Sequence, residues 1–89
     1  MSPDTSFVIT FYTRPDCPLC GEAEMLLDEM SRHFSCSVRK IDITTDMDAF
    51  ERYRHRIPVI KLGDGWDISG KISPIELKQK IQDYLQKRK

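Results

Sequence analysis

The 89-residue chain predicts an α/β fold in the order β-α-β-α-β-β-α, a four-stranded mixed sheet with helices on both faces. Three observations carry that expectation. An apolar, β-rich run opens the chain, and the apolar spacing then switches between helical and strand periodicity. The β-α-β half demands a right-handed crossover between parallel strands, while the β-β-α half adds an antiparallel hairpin.

The first strand is expected at Ser6–Thr13, whose centre, Phe7-Val8-Ile9-Thr10-Phe11, is nearly continuously apolar, as in a buried interior strand. Arg14-Pro15-Asp16 breaks it. From Pro18 to about Phe34, apolar residues at Ala23, Leu26, Leu27, Met30 and Phe34 fall on one helical face. Ser37 to Ile43 alternates, with Val38, Lys40 and Asp42 pointing one way and Arg39, Ile41 and Ile43 the other, so a strand is expected. A short helix follows from Thr45 to about Arg54, with Thr45 and Asp48 in capping-box spacing and Met47, Phe50 and Tyr53 or Arg54 inward. Pro58–Leu62 is a strand, and Gly63-Asp64-Gly65 turns it into a short partner at Trp66-Asp67-Ile68, with Trp66 packing on the hairpin. The last helix has the clearest start: Ser73 as N-cap, Pro74 at N1, Glu76 at N3, and Ile72 against Leu77 as a hydrophobic staple. Its inward face is Leu77, Ile81, Tyr84 and Leu85, and Lys87-Arg88-Lys89 suits the negative end of its dipole.

A hydrophobic fraction of 39% supports one modest core, so residues 1–89 are expected to form a single domain. Fourteen acidic and fourteen basic residues cancel, which argues against a nucleic-acid binder relying on surplus Lys and Arg. No window approaches the ~18 consecutive apolar residues of a membrane span. Met1-Ser2-Pro3-Asp4-Thr5 lacks the basic start and long apolar stretch of a secretory signal. The three cysteines, two of them close together, fit a reducing cytoplasm better than a secreted disulfide framework. A cytoplasmic monomer is expected.

The chemistry concentrates at Cys17-Pro18-Leu19-Cys20. Pro18 suits the first helical position, where its missing N–H costs nothing. Cys17 then becomes the N-cap and Cys20 lies one turn further in. A sulfur at the N-cap accepts from first-turn N–H groups and feels the positive end of the dipole, both of which favour thiolate over thiol. Cys17 is therefore the expected nucleophile. Cys20, more buried, suits the resolving role of attacking a mixed disulfide on Cys17. The competing reading is zinc, since Cys17, Cys20, His33 and Cys36 mimic ligand spacing. A continuous helix opposes it, because at ~1.5 Å per residue Cys20 and His33 stand about 20 Å apart.

Ile57-Pro58 introduces a strand, and from that dipeptide alone a trans bond is the expectation, because only about 5–6% of X-Pro bonds in folded proteins are cis. The cluster Arg52, Arg54, His55 and Arg56 reads either as cations matched to a helix end or as a positive rim beside Pro58 that attracts carboxylates.

Taken together, Phe11-Tyr12-Thr13-Arg14-Pro15-Asp16-Cys17-Pro18-Leu19-Cys20 and Arg56-Ile57-Pro58-Val59-Ile60 resemble the glutaredoxin-like branch of the thioredoxin superfamily, over essentially the whole chain. The resemblance implies a thioredoxin-like fold, a cis Ile57–Pro58 bond facing the dithiol, and strand-like pairing of the Ile57 backbone with an extended peptide or glutathione. It implies substrate contacts from Arg14, Arg56, Ile57 and Gly70, with Pro18 and Pro58 supporting the dithiol. Two departures stand out. Glutaredoxins show Thr-Val-Pro where this chain has Arg56-Ile57-Pro58, and Gly-Gly with an acidic pair where it has Ile68-Ser69-Gly70-Lys71.

The expected function is thiol–disulfide exchange on a protein disulfide or glutathione mixed disulfide. It needs an unidentified reductase and no bound cofactor, with glutathione as a possible co-substrate and no nucleic acid or membrane as partner. Two alternatives stay open: a metal-binding module, holding zinc or an iron–sulfur cluster bridged through Cys17, and a non-catalytic adaptor of the same fold.

Overall fold

A computed structural model describes residues 7–63 and 66–87, with the Trp66 side chain outside the described part. Ser6, Asp64, Gly65, Arg88 and Lys89, and the packing expected of Trp66, therefore lie outside it. The elements are β1 (Phe7–Thr13), α1 (Pro18–His33), β2 (Cys36–Asp42), a 3-10 turn (Ile43–Thr45), α2 (Met47–Tyr53), β3 (Val59–Leu62), β4 (Trp66–Ser69) and α3 (Pro74–Lys87). The strand order is β2-β1-β3-β4. β1 is parallel to β2 with Phe7 opposite Cys36 and Thr13 opposite Asp42, and antiparallel to β3 with Tyr12 opposite Val59. β4 closes the hairpin on β3. The expected α/β architecture is the observed one.

Period-2 alternation divides the core into two unequal parts. Phe7, Ile9 and Phe11 of β1 join Ile60, Leu62 and Ile68, and the sheet buries this face under Ala23, Leu27 and Met30 of α1 and Leu77 and Ile81 of α3. Each fully buried Leu, Ile or Phe contributes about 1.5–3 kcal/mol. This layer therefore dominates stability. The opposite face carries a smaller cluster, Ile43, Ala49, Tyr53 and Val59, with Tyr12 and Phe50 against it. The seven residues of α2 span only about 10 Å at ~1.5 Å per residue. The seven of β1 run about 23 Å at ~3.3 Å each. That shortfall leaves Val8 50% exposed. β1 is central in the sheet but covered on its second face only towards its C-terminal end.

Two local expectations are corrected. Ile43 does not extend β2; the chain turns into the 3-10 segment, and Ile43 is fully buried there. α2 begins one residue later than its Thr45 cap predicts: the Asp46 carboxylate accepts the Ala49 N–H at 3.2 Å and is the N-cap. The shift rotates the helix so that Ala49 and Tyr53 face inward and Met47 faces water, 77% exposed. The start of α3 is as expected, with the Glu76 N–H donating to the Ser73 hydroxyl at 3.0 Å and Ile72 and Leu77 both buried.

Among the described residues, no helix is long and apolar enough to cross a membrane.

Two measurements check this arrangement. In urea unfolding, Ile43→Ala is expected to cost about 2–5 kcal/mol, and Met47→Ala to stay within about 0.5 kcal/mol. The second concerns Asp42, which accepts from the Thr44 hydroxyl (2.7 Å) and the Thr44 N–H (2.9 Å). Those bonds, with a smaller contribution from Lys40, hold its carboxyl below the usual carboxylate range. A depressed carboxyl stabilises the fold above its unfolded value and loses that contribution as pH falls through its folded value. Asp42→Asn is therefore expected to flatten the acid limb of a stability–pH curve.

Candidate dithiol active site

The site is built at the carboxyl end of β1. Thr13 is its last residue, and the chain leaves through Arg14-Pro15-Asp16-Cys17. Asp16 has φ +60. Proline second and a left-handed residue third is the pattern of a type II turn, and Asp is among the few side chains that tolerate that region. The turn delivers Cys17 in an extended conformation (φ −123, ψ 104) to the N-cap of α1, with Pro18 at its start. The Cys20 N–H donates to the Cys17 sulfur at 3.2 Å. The Cys17 carbonyl accepts the Cys20 and Gly21 N–H groups at 3.1 and 3.2 Å.

Burial separates the two thiols. Cys17 is half-buried, whereas Cys20 is 3% exposed, on the helix face that meets the sheet. Burial pushes the Cys20 thiol up from its ordinary value, and its hydrogen bond and electrostatic coupling to Cys17 add to the rise. Hydrogen bonding from the Thr13 side chain and the Arg14 backbone pulls the other way. Thr13 is buried on the same sheet face as Phe11. It was not singled out in the sequence, although a hydroxyl continuing the inward run Phe7, Ile9, Phe11, four residues before Cys17, was the signal.

The Ile57–Pro58 bond is cis. This matches the family resemblance and corrects the trans expectation drawn from the dipeptide. Tyr12 pairs with Val59, so one more step of the antiparallel register sets Pro58 level with Thr13 and Ile57 level with Arg14. The Gly70 N–H donates to the Pro58 carbonyl at 3.0 Å. Gly70 has φ +81, which favours glycine, and a Cβ there would meet nothing within 4 Å. Ile57 is half-buried against both cores. Among the described residues, neither of its backbone groups has a hydrogen-bond partner. Cys17, Cys20, Pro18, Pro58, Ile57 and Gly70 thus gather at one end of the sheet.

The cations are placed less simply. Arg14 is exposed and lines a cavity of about 300 Å³ beside Cys17, together with Lys40 and the carboxylates of Asp16, Glu24 and Asp42. Lys40 is already paired with Glu24 at 3.0 Å. Arg56 turns to Asp67 of β4 at 3.1 Å and lies over the Tyr53 ring, 5.6 Å from its centroid. Arg54 lies over Phe50 at 5.7 Å. Arg52 and His55 are exposed. The cluster is therefore a helix-end surface in which Arg54 and Arg56 are already engaged.

Cys36 opens β2 beside Phe7, at the opposite end of β1 from the dithiol, and burial raises its thiol. α1 runs unbroken from Pro18 to His33, holding Cys20 and His33 at its two ends. Among the described residues no three His, Cys, Asp or Glu side chains converge as a metal site.

Comparison with solved structures places this fold among the thioredoxins. A mutant thioredoxin from Halobacterium salinarum superposes with a TM-score of 0.76 at 22% identity, covering 92% of this chain and 77% of that one. The oxidised thioredoxin from Plasmodium falciparum gives 0.70 at 19% identity, covering 92% and 84%. A structural-genomics target protein from X. campestris gives 0.70 at 24% identity, covering 84% and 96%. At these identities the likeness is one of fold. The description "Glutaredoxin-like domain (DUF836)" belongs to the family that matches residues 8–84. With nearly the whole chain matched, the chain belongs to the glutaredoxin-like domain family.

Proposed function

We propose that the chain is a thiol–disulfide oxidoreductase in which Cys17 attacks and Cys20 resolves. The observation that carries this reading is the half-buried Cys17 sulfur at the start of α1, accepting the Cys20 N–H at 3.2 Å, with the buried Cys20 thiol behind it. The thiolate is the nucleophile in exchange, and a helix N-terminus favours it. Cys17 attacks one sulfur of the substrate disulfide, forming a mixed disulfide and releasing the first thiol. Cys20 then attacks the Cys17 sulfur, and the second substrate thiol leaves with the bonding pair and takes a proton from water. Two electrons pass from the dithiol to the substrate, so no bound cofactor is needed. A reductase or glutathione returns them.

A protein disulfide is the substrate class we favour over a glutathione mixed disulfide. The open Ile57 backbone beside cis-Pro58, and the Gly70 backbone bonded to it, suit an extended peptide added as a strand. Glutathione carboxylates need cations, yet Arg56 is engaged by Asp67, and the cavity at Arg14 carries three carboxylates against two cations. Cytoplasmic, monomeric use remains part of the reading.

Cys20→Ser is expected to accumulate a covalent adduct on Cys17 with a disulfide-bonded protein such as insulin, seen as an added mass on the Cys17 peptide. Absence of any adduct, with insulin or glutathione disulfide, would sink the dithiol mechanism. The substrate preference has its own check. Asp67→Ala releases Arg56 from an exposed ion pair worth about 0.2–1 kcal/mol. It is expected to raise kcat/KM for a glutathionylated peptide up to roughly 5-fold while leaving insulin reduction unchanged.

A further inference from the structure

We propose that the half of the second sheet face left bare by α2 is a docking surface for an acidic amphipathic helix of a partner protein, held between Arg39 and Lys61. The inference stands apart from the dithiol reading, since this face is turned away from α1 and its cysteines. Residues directly opposite each other on neighbouring strands share one face of a sheet. Thr10 stands level with Arg39 of β2 and with Lys61 of β3. One row across the sheet therefore reads Arg39, Thr10, Lys61, and the preceding residue of β1 on that side is Val8, 50% exposed. At ~4.8 Å between strands the two cations are rooted about 10 Å apart. Among the described residues neither forms an ion pair. Asp67, the carboxylate level with Lys61, is held by Arg56 at 3.1 Å.

The dimensions and the charge select the occupant. β1 runs about 23 Å and α2 spans about 10 Å. The difference leaves about 13 Å bare, the length of about nine helical residues at ~1.5 Å each. A helix about 10 Å across, laid along β1, rests on Val8 and Thr10. Its flanks then lie over β2 and β3, where Arg39 and Lys61 stand. An apolar stripe facing Val8, with a carboxylate on each flank, answers that row. A second copy does not, because a two-fold pairing of identical faces sets these cations against each other. Nucleic acid fits less well. Two cations are few beside the roughly 6–10 phosphate contacts of a typical binder, and the whole chain has no net charge.

The test is an NMR titration of the isotope-labelled full chain with a cross-linked helical peptide that carries leucines on one face and glutamates on both flanks. The amide signals of Val8, Thr10, Arg39 and Lys61 are expected to move, and those of Leu77 and Ile81 in α3 to stay. Arg39→Glu with Lys61→Glu should weaken binding roughly 10-fold or more, the loss of two ion pairs. The same variant should bind the peptide whose glutamates are replaced by lysines. Lys71→Glu with Lys78→Glu makes the same change of net charge elsewhere and should leave the affinity unchanged. Arg39→Gln with Lys61→Gln puts no new charge opposite Asp67 and should weaken binding roughly 5-fold, with thermal melts reporting folding. Val8→Thr keeps the shape of the side chain and should weaken it roughly 3-fold. A glutamate peptide that moves none of these signals overturns the proposal, as does one that binds both double glutamate variants equally. Movement of the same signals by a single-stranded oligonucleotide, with the peptide inert, assigns the face to nucleic acid and overturns the helix. A concentration-dependent dimer in sedimentation, abolished by Arg39→Glu with Lys61→Glu, assigns it to a second copy and overturns it equally.

Discussion

The hydrogen bond from the Cys20 N–H to the Cys17 sulfur is the contact on which the site depends. A helix must leave its first N–H groups without intrahelical partners, and at α1 the Cys17 sulfur supplies one acceptor in place of the usual Ser or Asp oxygen. A cap of this kind is worth about 0.5–2 kcal/mol, while each buried Leu or Ile under α1 contributes about 1.5–3 kcal/mol. Packing therefore holds α1 in place and the cap aims the sulfur. Leu27, Met30 and Ala23 fix the helix against the sheet, so the Cys17 sulfur inherits the rigidity of the core.

One helical turn also gives the two cysteines unequal environments. Cys17 sits at the rim, where backbone donors meet it. Cys20 rotates into the layer between α1 and β1, where loss of water favours the neutral thiol. The difference in burial needs no special residue at the motif itself. It comes from the helical repeat and from the depth of the sheet beneath it. The other wall, cis-Pro58, is held by the continuing β1–β3 register on one side and by the Gly70 N–H on the other.

Most of the fold could be read from the chain because its main elements are strongly periodic and well capped. The stripe Ala23-Leu27-Met30 and the Ser73-Pro74-x-Glu76 start both appear as expected. The errors fell where several cap-forming residues stand in a row. Across Asp42-Ile43-Thr44-Thr45-Asp46, Asp42 and Asp46 won the capping bonds over Thr45, and the loser's register had turned Met47 inward. Carboxylates accept the amide more strongly than a hydroxyl does. At the site, the placement of Cys17 as the cap of α1 follows from the motif, but the partner of Arg56 does not. Asp67 lies on the neighbouring strand, and only the sheet register brings it close.

The position of Cys36 limits which internal disulfides the folded chain can form. Three cysteines allow three intrachain pairings, and a disulfide requires Cα atoms within about 7 Å. Cys36 starts β2 level with Phe7, while the dithiol lies beyond Thr13 at the other end of β1, a strand's length of about 20 Å at ~3.3 Å per residue. Both pairings that include Cys36 are thus out of reach of the folded chain, and burial raises its thiol from the ordinary value. The sheet acts as a spacer that leaves Cys17 and Cys20 as the one pair of cysteines near enough for an internal disulfide.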